Sequence, residues 1–213
     1  GREHFRPFPW RLTESPFQIL IAEVMLHRTQ AIQVVPVYAK FIERYPDVRA
    51  LAGAQGEELH EILASLGLRW RIDLILEMTA GLMSRFGGEV PREKSDLLSL
   101  PGVSDYIASA VRCFAWNLPE ALIDTNTVRI MGRLFGLEVK DSSRRNRGFR
   151  EIIQAMVDPA RPREYNFALL DLAGQVCDKK KPCCTGCPVF GYCKHDALSV
   201  AKQVAGIRKC ESG

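Results

Sequence analysis

The chain has 213 residues, 46% of them hydrophobic and 25% charged, with a formal net charge of +4. This composition excludes a disordered or collagen-like chain and fits a packed core in one large or two small domains. Neither the opening GREHFRPFPWRL nor the apolar stretch FQILIAEVML, which carries Glu23, is suited to a signal peptide or a bilayer span, so a cytoplasmic protein with no membrane partner is expected.

Apolar spacings of three and four predict helices over 16–31, 34–45, 57–66, 70–86, 94–99, 105–116, 126–135, 147–157 and 164–175. Turn-forming stretches such as YPD, LAGAQG, FGGEVP and DPARP separate them. No convincing run of alternating strand residues interrupts the series, and the expected fold is all-α, built from many short helices.

The first helix carries Glu23, whose same-face neighbours are Ile19, Leu20, Leu26 and His27. A carboxyl group in such apolar company holds its proton more readily, which suits a general acid; otherwise it is one charge on an amphipathic helix. HRTQ (27–30) follows, with Arg28 and Gln30 as exposed polar candidates. Further on, LLSLPGVSDYIASAVRCFAW (97–116) reads as two helices joined at Pro101 and Gly102. The backbone N–H groups at Gly102, Val103 and Ser104, at a fresh helix N-terminus, suit a phosphate oxygen. Asp124 then opens the helix in ALIDTNTVRIMGRLFG, where an N-cap is its ordinary role.

CDKKKPCCTGCPVFGYC (177–193) packs five cysteines into seventeen positions. Cys177, Cys184, Cys187 and Cys193 give C-x6-C-x2-C-x5-C, with Cys183 as a possible substitute for Cys184. Four thiolates in one loop can hold tetrahedral zinc or an iron–sulfur cluster. Only one close pair exists and the outer cysteines stand well off, a loop that suits something larger than one ion. Without export, a disulfide knot is the least expected of the three. The whole basic excess lies in 177–213, where seven Lys and Arg, among them Lys179, Lys180 and Lys181, face three acids. Such a segment fits a polyanion or a solubilising tail.

From FPWR at 8–11 to Cys193, the order of these motifs resembles the endonuclease III/MutY (HhH-GPD) superfamily of DNA glycosylases. The resemblance implies a two-lobed helical fold, with 16–116 as a six-helix-barrel-like lobe ending in the helix-hairpin-helix. The second lobe is then 1–15 plus 117–213, with a [4Fe–4S] cluster on the four cysteines and the active cleft between the lobes. The carry-over makes Asp124 the catalytic aspartate and Glu23 the acid of the MutY-like segment AEVML. Arg28 becomes the wedge residue that fills the gap left by a flipped base, and Gln30 a DNA contact beside it. Lys179, Lys180 and Lys181, with the Gly102–Ser104 turn, become contacts to the backbone of a mismatched DNA duplex, bound by a monomer. One departure concerns the turn, because family members usually have a second glycine at the position of Ser104.

The substrate expected from the resemblance rests on two further departures. Bifunctional members place a Schiff-base lysine four residues after the first hairpin glycine, where this chain has Tyr106. Base removal without efficient strand nicking follows, and the MIG group of mismatch-specific thymine glycosylases also has tyrosine there. The chain shows no MutY-type C-terminal domain after the cysteines and no paired tyrosines in LGLRWRIDLIL (66–76). Thymine or uracil opposite guanine is therefore the expected substrate. An adenine glycosylase of MutY type and a non-catalytic DNA-binding module remain as alternatives.

Overall fold

The computed structural model describes residues 4–67 and 69–195. The sequence-counted Lys202, Arg208, Lys209 and Cys210 lie outside the described residues, as does Leu68. Among the described residues there are helices and turns but no strand, and no helix long and apolar enough to cross a membrane. Backbone contacts divide the chain into one unit of Pro7–Glu120 and another of Gly1–Arg6 with Ala121–Gly213.

The first unit holds α1 (Pro16–Leu26), α2 (Ala31–Arg44), α3 (Val48–Ala52), α4 (Gly56–Leu63), α5 (Arg69–Phe86), α6 (Lys94–Leu98) and α7 (Asp105–Trp116). Ser15 caps α1, its side chain accepting from the Gln18 N–H, and Pro16 stands at a position where its missing N–H costs nothing. Phe17, Ile19, Leu20, Ile21, Ala22 and Met25 are all buried, so α1 is apolar around most of its circumference. A helix of that kind belongs in the middle of a core, and α1 packs on both α2 and α7.

Two aromatic and ionic contacts explain why the unit boundaries differ from the expected 15/16 and 116/117. Trp10 is buried, stacked on Phe8 and edge-on to Tyr38 of α2 at 5.4 Å, which ties residues 7–15 to the first unit. Glu120 accepts from Arg112 Nε at 2.6 Å, from Ser109 Oγ at 3.1 Å and from Lys94 Nζ at 3.2 Å, which ties 117–120 to α7.

The second unit holds α8 (Thr125–Phe135), α9 (Arg147–Ala155) and α10 (Pro162–Asp171), followed by a π-helical turn over Leu172–Val176. Val128, Ile130, Met131, Phe149, Ile153, Leu169 and Ala173 form its core. The N-terminal segment joins it through Arg6 Nε, which donates to buried Asp171 at 2.6 Å, and through Phe5, edge-on to Phe167.

Several expected helices change at their ends, three of them near the candidate site. The helix read over 16–31 stops at Leu26, because Arg28 takes φ +63° and Gln30 is extended. The next helix consequently begins at Ala31 rather than 34, with Pro36 inside it. The helix read over 164–175 is α-helical only to Asp171 and then widens into the π turn. The short α3, not expected from periodicity, is nucleated by Asp47, which accepts from the Ala50 N–H at 2.8 Å.

Candidate active site and nucleic-acid interface

In the first unit, the turn between α6 and α7 is a tight hairpin. The Val103 N–H, expected above as a phosphate donor, instead donates to the Leu100 carbonyl, and Gly102 has φ +76°, a conformation that only glycine adopts without strain. Ser104, where a second glycine was expected, needs none: its φ is −83°, and its hydroxyl caps α7 by accepting from the Ile107 N–H at 3.3 Å. Gly102 and Ser104 are exposed while Val103 is buried and anchors the turn.

Glu23 is buried in α1, with 5% of its surface exposed, and Tyr106 is half-buried in the first turn of α7. Arg28 and Gln30 are exposed in the turn from α1 to α2. Left-handed backbone costs a non-glycine residue on the order of 1 kcal/mol, and Arg28 is one of two non-glycine residues with positive φ among the described residues. A recess in this unit is lined by His27 of that turn, by Pro101, Gly102 and Ser104 of the hairpin, and by Leu74 and Met78 of α5. It brings the end of α1 and the hairpin onto one surface, a juxtaposition that no motif in the sequence discloses.

In the second unit, Asp124 is the N-cap of α8. Its Oδ1 accepts from the backbone N–H groups of Asn126 at 2.9 Å and Thr127 at 2.7 Å, and Thr127 Oγ1 accepts in return from the Asp124 N–H. This reciprocal pair is a capping box. Asp124 Oδ2 accepts separately from the side-chain amide of Asn126 at 2.8 Å. Thus Asp124 lies in one unit, and Glu23 and Tyr106 in the other.

Cys177, Cys184, Cys187 and Cys193 line one recess, partly open to solvent, with Ile130 and Leu134 of α8 in its wall. All four are thiols outside any disulfide. Cys183 also lines the recess and, unlike the other four, is disulfide-bonded, the arrangement least expected for this loop. Among the described residues, no group of three or more His, Cys, Asp or Glu side chains is gathered closely enough to hold a single metal ion.

Arg133 of α8 shapes the start of this loop. Its Nη1 donates to Cys177 Sγ at 3.2 Å and to the Asp178 carbonyl at 2.7 Å, and its Nη2 donates to the Lys179 carbonyl at 3.0 Å. Asp178 Oδ1 accepts from the N–H groups of Lys180 and Lys181, both at 2.7 Å. These backbone bonds, Lys181 first, hold the Asp178 carboxyl below its usual range. Lys179, Lys180 and Lys181 are all exposed on this pinned turn. Sequence reading missed Asn126, Arg129, Arg133 and Asp178. The first three recur three and four residues apart, so they form a polar stripe on α8 beside the apolar Ile130 and Leu134.

Known proteins place this arrangement. The family model for HhH-GPD superfamily base excision DNA repair proteins matches residues 21–155. A thymine-DNA glycosylase from Aeropyrum pernix is 39% identical over 88% of this chain and 86% of its own length. A thymine/uracil-DNA glycosylase from Pyrobaculum aerophilum is 38% identical over 86% of this chain and 82% of its own. Among solved structures, a thermostable thymine-DNA glycosylase superposes with a TM-score of 0.86 at 31% identity, covering 91% of this chain and 89% of that one. The chain belongs to the HhH-GPD superfamily of base excision DNA repair proteins.

Proposed function

We propose that the protein is a monofunctional DNA N-glycosylase that hydrolytically releases thymine or uracil opposite guanine, acting as a monomer on mismatched duplex DNA. The observation that carries this reading is Tyr106 in the first turn of α7, where a bifunctional relative would need an amine. A phenol cannot form an imine with the sugar, so the strand survives base release. The activities named for the relatives with thymine and uracil agree with it.

Cleavage of the glycosidic bond builds positive charge on the sugar, as in glycoside hydrolysis. Asp124 stabilises that charge and orients water; its carboxylate is held by three hydrogen bonds and needs little reorganisation. Glu23 gives a proton to the departing base. Arg28, already bent into an exposed turn, fills the space the base leaves and offers planar donors to the orphaned guanine. Gln30 contacts DNA beside it. The Gly102–Ser104 turn and Lys179–Lys181 engage the phosphate backbone without reading sequence.

Cys177, Cys184, Cys187 and Cys193 would hold a [4Fe–4S] cluster; the C-x6-C-x2-C-x5-C spacing and the placing of all four in the lining of one recess are what support this. Its contribution is structural, fixing the basic loop. Roughly four iron and four sulfide per chain are expected in the brown purified protein, with absorbance at the blue end of the visible. A colourless protein with one zinc would contradict the assignment.

Asp124→Asn tests the chemistry. Asparagine caps a helix as well as aspartate does, so α8 should stay intact. Duplex binding is expected to persist while excision falls by a factor on the order of 10³ or more. Undiminished excision would remove Asp124 from the mechanism.

A further inference from the structure

The two oxygens of Asp124 are held by different parts of the protein. Oδ1 is bound within the capping box, as at any Asp N-cap. Oδ2 depends on the Asn126 side chain, and Asn126 depends on Arg129: Arg129 Nη1 donates to Asn126 Oδ1 at 2.8 Å. That bond decides which end of the amide faces Asp124. With its oxygen engaged by a guanidinium, the amide must present Nδ2–H to the carboxylate; turned round, it would set oxygen against oxygen.

Arg129 is in turn fixed by backbone at the mouth of the cysteine loop. Its Nε and Nη2 donate to the Cys177 carbonyl at 3.1 and 3.0 Å, and Nη2 also donates to the Ala173 carbonyl at 3.2 Å. A helix end leaves its last carbonyls without helical donors. Here the Leu172 and Val176 carbonyls accept from the N–H groups of Cys177 and Cys183, while that of Ala173 is served by Arg129 and that of Cys177 by Arg129 and, at 3.4 Å, by Arg133 Nη1. One planar guanidinium thus closes the π turn on one side and orients the Asn126 amide on the other. Lysine, with all its donors on one nitrogen, cannot span both.

We propose that Arg129 is a positioning residue for excision, which through Asn126 holds the second oxygen of Asp124 in a direction set by the backbone of Ala173 and Cys177. This rests on the reading of Asp124 as the catalytic carboxylate. It makes the rate of base release, and not only the stability of the loop, depend on the entry to the cysteine loop.

The test measures two quantities separately: single-turnover excision on a G·T duplex, and affinity for the same duplex carrying a 2′-fluoro thymidine that resists hydrolysis. Variants are Arg129→Gln, Arg129→Lys, Asn126→Ala, the double Arg129→Gln/Asn126→Ala, and Asp124→Asn. Each of Arg129→Gln, Arg129→Lys and Asn126→Ala is expected to slow excision by a factor on the order of 100, the scale of a misplaced catalytic group, with affinity within about threefold of the parent. The double variant should be no slower than the slower single, because both remove one path. Excision by Arg129→Gln within about threefold of the parent, with Asp124→Asn inactive, overturns the proposal while leaving Asp124 catalytic. Affinity that falls in step with rate also overturns it, since Arg129 would then touch DNA directly. Parental excision by Asp124→Asn defeats the underlying reading instead. If Arg129→Gln does not fold, Asn126→Ala decides alone, because it leaves the cysteine loop untouched; an unchanged rate there overturns the proposal.

Discussion

A carboxylate at the start of a helix is common, and the capping role of Asp124 was readable from its place before TNTVRIMGRLF. What the sequence did not disclose is the fate of its second oxygen, because Asn126 and Arg129 acquire meaning only once Ala173 and Cys177 have been brought to α8 from almost fifty residues away. Glu120 repeats the lesson. In sequence it is one residue of a turn, NLPEA; in the structure it is the ionic partner of Lys94 and Arg112. Burial pushes its carboxyl pKa up, but the Arg112 hydrogen bond and the nearby Lys94 charge prevail, and the net position is below the usual glutamate value. A depressed pKa contributes stability that is present above the unfolded value, about 4.3, and is lost as pH falls through the folded one. Glu120→Gln should therefore lower the stability of the protein at pH 7 by about 1–3 kcal/mol, with the gap to the parent closing below about pH 4. Thermal unfolding at the two pH values checks this; a gap that does not narrow would show that the charge is not what matters.

At the scale of elements, helix type was legible and helix ends were not. The i, i+3, i+4 spacing through IAEVMLHRTQ continues past Leu26, but the chain turns at Arg28, where no local signal such as glycine or proline marks the break. The π turn before Cys177 contains Gly174, but a lone glycine does not foretell a widened turn, in which the Ala173 carbonyl is taken by Arg129 from another helix. The cysteine loop was legible in spacing, and its basic turn in composition. The pinning of that turn by Arg133 and Asp178 was not. A pre-shaped turn presenting three exposed lysines should neutralise phosphates without rearranging. Replacing Lys179, Lys180 and Lys181 together with Gln is expected to weaken binding to any duplex alike. The slope of log affinity against log salt should flatten by roughly 0.9 for each phosphate that is no longer neutralised. An unchanged slope would place this turn away from DNA.

At the scale of the whole molecule, periodicity was enough to give an all-helical chain, and the order of motifs was enough to give its family. The limits of the two units depended on Trp10 and Glu120, whose tertiary partners leave no periodic trace. The recess beside the hairpin was likewise invisible, because it joins α1, α5 and the α6–α7 turn across eighty residues of sequence. Substrate choice rests on Tyr106 and on the relatives together, and it is the part most open to direct trial. Duplexes containing G·T, G·U, A·8-oxoguanine and thymine glycol, each incubated with the parent protein and split into samples with and without alkali, decide it. Thymine and uracil opposite guanine should be released, with strand cutting only after alkali and no covalent complex trapped by borohydride. Release of adenine alone, cutting without alkali, or a borohydride-trapped adduct would contradict a monofunctional thymine/uracil glycosylase.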